Sequence, residues 1–243
     1  TNPRSLRELN QCPPPDRSRL DPRYAELTGI TSLQTKRGCP LRCTYCTYPM
    51  IEGRSSRVRD PVRVVRDFEA AVNAHPGVNH VFIVDSTFNL PRSHAMAVCN
   101  ALIESGNTVP WTCYLNPRGF DDELAAAMKR AGCVGFEIGS DAGTDRTLKL
   151  LRKGFTTADL RRVHQICERN GLLDGHTFVL GTDGETLDDI DEALAFIDEL
   201  DPFAAIIMMW TDDQELADPD LAQQRAAYRS RVAERVRVAV AGR

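Results

Sequence analysis

Three cysteines crowd into one short run, Lys36-Arg37-Gly38-Cys39-Pro40-Leu41-Arg42-Cys43-Thr44-Tyr45-Cys46. The chain has 8 Cys in 243 residues, so such a triplet would arise by chance only about 0.01 times. Thiolates ligate iron, and one tight loop can present several together. Three thiolates on a four-iron cubane leave one iron open, which makes the cluster a reagent and not only an electron wire. Zinc is the rival, but three Cys would need a fourth ligand, and no His stands near them in sequence. The remaining five, Cys12, Cys99, Cys113, Cys133 and Cys167, are scattered in apolar or helical contexts and read as small buried hydrophobes. No export signal precedes them, so a reduced, cytoplasmic protein is expected.

The elements that must position this loop alternate along the chain. The first 28 residues are polar and proline-rich, and read as an arm or linker across the surface. Strands are expected at Ile30–Thr35, His80–Asp85, Trp111–Leu115, Cys133–Ile138, Gly175–Leu180 and Phe203–Trp210. Helices are expected at Pro61–Ala74, Pro91–Ser105, Asp121–Ala131, Thr144–Leu151, Thr156–Asn170 and Thr186–Leu200, with a basic amphipathic helix from about Pro219 to Val240. The strands are near-continuous apolar runs, the pattern of a parallel sheet covered on its faces. Such a β/α succession closes into either an open doubly wound sheet or a curved partial barrel. In both, the active site lies at the carboxyl ends of the strands. The cysteine run follows the first strand directly and is therefore a strand-end loop.

Composition narrows the class. The 34 acids outnumber the 30 bases for a net charge of −4, which does not suggest a nucleic-acid or polyanion binder. No apolar run approaches the ~20 residues of a membrane span. The chain starts at Thr1, and we expect it to be a processed or excised piece of something longer.

The Cys-x-x-x-Cys-x-x-Cys spacing, with Tyr45 just before the third cysteine, resembles the radical S-adenosylmethionine (SAM) superfamily. Thr35-Lys36-Arg37-Gly38-Cys39-Pro40 and the earlier Pro13-Pro14-Pro15-Asp16-Arg17 are similar to its cobalamin-dependent branch, where a cobalamin domain precedes the radical SAM domain. The likeness covers about residues 10 to 210. It implies an α/β fold, a partial (β/α)6 barrel of parallel strands at 29–210; the arm at 1–28 and a charged helix at 211–243 flank it, and at that carboxyl end the chain departs from the family, which usually continues with an Arg-x-Tyr-Pro-Gly-Thr-like segment. It also implies a 4Fe–4S cluster on Cys39, Cys43 and Cys46 whose open iron chelates SAM. Reduction then breaks a carbon–sulfur bond and releases a 5′-deoxyadenosyl radical, while the protein positions the cofactor and excludes water.

The resemblance also assigns residues. Asp85 and Ser86 end the second strand, where the family supplies acceptors to the SAM ammonium; a helix N-cap region before Pro91 is the other reading of Asp85. Glu137 and Asp141 lie in a segment similar to the family's Glu-x-Gly-x-Glu-Ser-Gly-Ser-Asp pattern, with Asp141 standing where a Glu is usual. Glu137 in an apolar strand is costly unless paired, so a barrel-interior position is expected. Gly181 belongs to a turn resembling Gly-x-Pro-Gly-Glu-Thr, with Asp183 in place of the Pro, and would allow close approach to adenine. Tyr45 is expected near cluster and adenine. Asn116 and Arg118, ending the third strand, are candidates for the SAM carboxylate or for substrate, against surface salt bridging. His176 is a further substrate candidate, against a satisfied structural histidine. Met208, Met209 and Trp210 read as core.

Three functions remain open on this reading. One is a cobalamin-dependent methyltransferase on a small organic substrate, with its cobalamin-binding domain upstream of residue 1. The second is a cobalamin-free radical SAM enzyme catalysing oxidation, epimerisation or rearrangement. The third is a non-catalytic iron–sulfur protein. Either enzyme would take electrons from a donor such as flavodoxin or ferredoxin.

Overall fold

The computed structural model describes residues 9–13, 15–211, 215 and 218–241. Parts of the expected arm (1–8 and 14) and of the stretch after the last strand (212–214, 216–217), with 242–243, lie outside the described residues. In chain order come 3-10 turns at Leu9–Gln11 and Arg17–Arg19, then α1 (Arg23–Thr28), β1 (Ile30–Leu33), β2 (Lys36–Arg37), α2 (Tyr48–Glu52), β3 (Arg57–Val58), α3 (Pro61–Asn73) and β4 (His80–Ile83). There follow α4 (Arg92–Glu104), β5 (Trp111–Leu115), α5 (Asp122–Arg130), β6 (Cys133–Asp141), α6 (Asp145–Leu150), α7 (Thr157–Asn170), β7 (Leu173–Leu180), α8 (Leu187–Leu200), β8 (Ala204–Met209) and α9 (Pro219–Ala241).

Six strands form one sheet in the order β1-β4-β5-β6-β7-β8, every neighbouring pair parallel. The spatial order follows the chain without the reversal that defines a doubly wound sheet. The result is the expected partial barrel, with all six strand ends on one rim. A separate antiparallel ribbon pairs Lys36 with Val58 and Arg37 with Arg57; no periodicity foretold these two-residue strands.

One face of the sheet is packed and the other is not. On β5, Trp111, Cys113 and Leu115 are buried, while Thr112 and Tyr114 between them are half-buried. The packed face joins the helices in one core that includes Val64, Phe68, Val98, Leu124, Met128, Leu160, Val163 and Ile197. The opposite face is partly open: Ile206 is 51% exposed and Met208 47%. This corrects two expectations, that both faces are covered and that Met208 belongs to the core. Cys99, Cys113, Cys133 and Cys167 are buried as expected, whereas Cys12 is only half-buried in the arm. The arm is not all linker, since it forms α1 and buries Leu9 and Ala25.

Local chemistry sets the helix starts. Asp60 accepts from the Val62 and Arg63 amides to begin α3. Thr156 with Asp159, and Thr186 with Asp189, make reciprocal capping boxes on α7 and α8. The loop after β6 touches α8 at Gly143, where an added Cβ would lie 2.5 Å from the Ala193 Cα. Gly143→Ala must push that helix outward. An overpacking cost of about 1–3 kcal/mol predicts a lower thermal midpoint, read by calorimetry, with the β-sheet circular dichroism retained.

Candidate active site

The cysteine loop is built on a buried carboxylate. Asp85, two residues past the end of the β4 register at Ile83, is 0% exposed. Its Oδ1 accepts from the Thr35 amide at 2.8 Å and the Lys36 amide at 3.1 Å, and its Oδ2 from the Thr35 hydroxyl at 2.5 Å. Burial pushes its pKa up, while Lys36 and these donors pull against that. Asp85 is thus not a helix cap; the N-cap of α4 is Pro91. His94 reaches the same hydroxyl, its Nε2 3.1 Å from Thr35 Oγ1. Burial, reinforced by the Lys36 charge, lowers its pKa to about 4.

Beyond this anchor the chain turns on Gly38, at φ +89°, where a Cβ would lie 2.1 Å from the Ser55 carbonyl oxygen. Only glycine fits. The Gly38 amide donates to Glu52 at 3.1 Å, Cys39 N–H to Gly53 O at 3.1 Å, and Thr44 N–H to Leu151 O at 3.1 Å. Cys39 ends up buried, Cys43 half-buried and Cys46 exposed. All three line one cavity of about 310 Å³ at the carboxyl ends of the strands.

The far wall comes from β6 and β7. Asp141 stands in the left-handed region at φ +63°, a conformation that Asp tolerates better than most residues. Its carboxylate accepts from both Lys153 Nζ and the Tyr45 hydroxyl. Lys153 Nζ also lies 3.3 Å from Tyr45 Oη and stands over the Tyr45 and Phe155 rings at 5.7 and 5.6 Å. Burial and the Asp141 charge push the Tyr45 phenol well above its ordinary range. Burial likewise raises the Cys43 thiol, with Lys153 opposing. Glu137 accepts from Thr177 Oγ1 at 2.5 Å, and Trp210 packs edge-on against Tyr45 at 5.8 Å.

Of the candidates read from sequence, Tyr45, Asp85, Ser86, Asn116, Glu137 and Asp141 line the cavity with the three cysteines. Arg118, Gly181 and His176 do not. Arg118 is exposed. Gly181, at φ +88°, forms a turn whose amide donates to Glu185 at 2.6 Å. His176 is 0% exposed, 2.8 Å from Ser140 Oγ and 3.2 Å from Asp174 Oδ2, so its imidazole is satisfied within the protein. Lys153 was not anticipated. It follows α6 in Leu151-Arg152-Lys153-Gly154, and nothing in that run marks it apart from a surface lysine.

Among the described residues, no three His, Cys, Asp or Glu side chains converge on a point suited to one metal ion. A cubane asks for something else: one thiolate on each of three irons, presented around a shared cavity. All three thiols line one shared cavity.

Residues 33–197 match the Radical SAM superfamily. The chain is 31% identical over 194 residues to tryptophan 2-C-methyltransferase of Streptomyces laurentii, covering 74% of this chain and 32% of that protein. It is 27% identical over 179 residues to the anaerobic magnesium-protoporphyrin IX monomethyl ester cyclase of Rubrivivax gelatinosus, covering 72% of this chain and 32% of that one. The radical SAM methyltransferase TsrM of Kitasatospora setae, solved with cobalamin and a [4Fe-4S] cluster bound, superposes with TM-score 0.69 at 26% identity, over 77% of this chain and 35% of its own. The chain therefore spans about a third of each of these relatives.

The anchor titrates. A folded His94 pKa near 4 against an ordinary 6.5 means the unfolded chain binds a proton that the native one refuses. His94 therefore contributes stability that is complete above pH 6.5 and is lost as pH falls toward 4. The contribution is on the order of 3 kcal/mol. In urea titrations from pH 7 to 4.5, His94→Gln should flatten this acid-side loss relative to the parent; parallel profiles would contradict the burial account.

Proposed function

Because the chain belongs to the radical SAM superfamily, we propose that it cleaves SAM reductively at a 4Fe–4S cluster held by Cys39, Cys43 and Cys46, and that with cobalamin it transfers a methyl group to a small organic substrate. The carrying observation is that the three thiols share one cavity with the Asp141–Lys153–Tyr45 cluster. The bound cofactors supply the electron, the radical and the methyl relay; the protein's part is binding, orientation and exclusion of water.

Roles follow from position. Lys153, a buried cation at the wall, is suited to the SAM carboxylate. Asp141, Glu137 and Ser86 offer acceptors for its ammonium and ribose hydroxyls. Asp85 already accepts three hydrogen bonds, so it acts by holding the loop rather than by touching SAM. Asn116, whose Oδ1 accepts from the Arg118 amide at 3.0 Å, faces the cavity from the β5 end as a substrate-side contact. Arg118 and His176 would need a movement of the rim to reach substrate, and Gly181 supports the wall through its turn.

Cobalamin is supported by TsrM, which binds it and shares this core. On this reading a cobalamin-binding domain precedes residue 1, and flavodoxin or ferredoxin delivers the electron. The Rubrivivax relative carries the name of a cyclase, which supports a reaction other than methyl transfer as the second reading.

Anaerobic reconstitution should load close to four irons and four sulfides per chain. Cys39→Ala, Cys43→Ala or Cys46→Ala should each abolish the cluster absorbance, and Cys99→Ala should not. Equal loss from all four would remove the assignment. Asp141→Ala and Lys153→Met should weaken SAM binding by roughly tenfold or more, the worth of one charge-assisted hydrogen bond, with iron content unchanged.

The two readings separate on product. With the upstream segment and cobalamin restored, methyl transfer yields S-adenosylhomocysteine beside 5′-deoxyadenosine. If 5′-deoxyadenosine alone forms whether or not cobalamin is present, the cobalamin-free enzyme stands instead.

A further inference from the structure

The ladder between β6 and β7 skips one residue just where it meets the cysteine cavity. Gly139 pairs with Thr177 and Asp141 with Phe178, so Ser140 and Asp141 together oppose the single residue Phe178. This is a β-bulge, which leaves one residue without a ladder partner and bends the strand. Asp141 holds its left-handed backbone, φ +63°, inside it. A residue other than glycine keeps such a conformation only where its surroundings fix it. Lys153 and Tyr45 meet Asp141 through its carboxylate, at the tip of the side chain and not at the bulge. Gly139 offers no side chain on the cavity side; a Cβ there would lie 3.6 Å from Asp141 Oδ1 and 3.7 Å from Lys153 Nζ.

The brace comes from the packed side. Ser140 is 0% exposed, and its Oγ lies 2.8 Å from His176 Nδ1. His176, equally buried, stacks on Phe178 at 6.2 Å and sets its Nε2 3.2 Å from Asp174 Oδ2. The same oxygen accepts from His164 Nδ1 at 2.8 Å, and Asp174 Oδ1 accepts from the Phe203 amide at 3.4 Å. Burial works to raise the Asp174 pKa, but the hydrogen bonds from the two imidazoles hold it below the usual carboxylate range. An ionised carboxylate only accepts, so Nε2 carries the proton. In the neutral ring Nδ1 is then left to accept from the Ser140 hydroxyl. Serine, histidine and aspartate in this order are the parts of a nucleophile relay. Here the hydroxyl is sealed from any substrate, so the chain of bonds can serve only geometry. It ties the bulge to β7, to α7 through His164 and to the entry of β8 through Phe203.

We propose that His176 is a positioning residue: by accepting from Ser140 it pins the β6 bulge and so aims the Asp141 carboxylate across the cavity at SAM. The last step rests on the reading of Asp141 as a SAM contact; the pin itself is a property of the chain without cofactors.

The pin is read without cluster or SAM, by the rate at which acetic anhydride modifies Lys153 in the full chain, followed by peptide mass spectrometry. Lys153 is shielded by burial and by Asp141, so an Asp141 that swings away uncovers it. Lys36, 1% exposed and rooted at the β1 end, is the internal control. Unfolding labels both lysines, whereas release of the bulge labels Lys153 alone. His176→Phe keeps a flat ring against Phe178 and removes both nitrogens; Ser140→Ala removes the hydroxyl. Each should speed Lys153 labelling severalfold with Lys36 unchanged. The double variant should go no further than either single one, because both break the same bond. His176→Asn, which keeps an acceptor near the Nδ1 position, should label like the parent. On the loaded protein, His176→Phe and Ser140→Ala should weaken SAM binding by roughly tenfold, as Asp141→Ala does, with iron content unchanged. If Lys153 labelling rises and SAM affinity does not move, the pin stands and the assignment of Asp141 to SAM falls. Should His176→Phe fail to fold, Ser140→Ala carries the same test. Lys153 as protected in Ser140→Ala as in the parent, or Lys36 and Lys153 opening together in that variant, overturns the proposal.

Discussion

The Asp85 carboxylate holds the rest of the site in place. A charge with no exposure is expensive, and the structure offsets the cost by wrapping it in three donors from one turn, at Thr35 and Lys36. Those bonds bind the exit of β1 to the exit of β4. The cluster loop departs from that joint, so its first cysteine inherits the rigidity of two paired strands, the edge strand β1 and its neighbour β4. His94 seals the joint from α4 as a neutral ring, since burial and Lys36 both resist its protonation. The result is a loop whose root is fixed and whose tip, at Cys46, stays open to solvent.

The second joint is the contact between loop and far wall, and it has a different character. Asp141, Lys153 and Tyr45 form a buried, partly ionic group, and such groups add little net stability compared with apolar packing. What they add here is registration. Tyr45 comes from the cysteine loop, Asp141 from the end of β6 and Lys153 from the segment after α6; the group meets only if all three are in place. The left-handed backbone at Asp141 aims the carboxylate back across the cavity. A ligand carrying a carboxylate and an ammonium would exchange contacts with this group rather than meet bare walls, which suits an amino acid-like moiety such as that of SAM.

Much of this was legible in sequence, for identifiable reasons. The cysteine spacing marks the loop whose three thiols line one cavity, and the β/α alternation gives the parallel sheet and its rim, whereas the choice of a barrel over a doubly wound sheet comes from the family resemblance. Glu137 is readable because an acid inside an apolar strand demands a partner, which Thr177 supplies. Other features leave no trace in one dimension. Lys153 looks like any lysine, because its burial depends on residues a hundred positions away. His176 looks like a ligand candidate and is instead satisfied by Ser140 and Asp174. The β2–β3 ribbon is two residues on each side, too short to show a period. The open face was misread because an apolar strand such as β8 carries the same residues whether helices cover one side or both.

Sequence distance is the reason the two joints matter together. Thr44 N–H reaches Leu151 O, and Tyr45 reaches Asp141, so contacts spanning about a hundred residues converge within two positions of the cluster loop. Closing so long a loop carries an entropic cost that grows only slowly with length, yet the site does not exist until β6 has docked. The thiols therefore have their native arrangement only when the far wall is also in place. Whatever binds the three thiols also favours the docked sheet over any state in which it is not docked, in proportion to its preference for that arrangement. Cluster loading and barrel closure are in this sense one equilibrium.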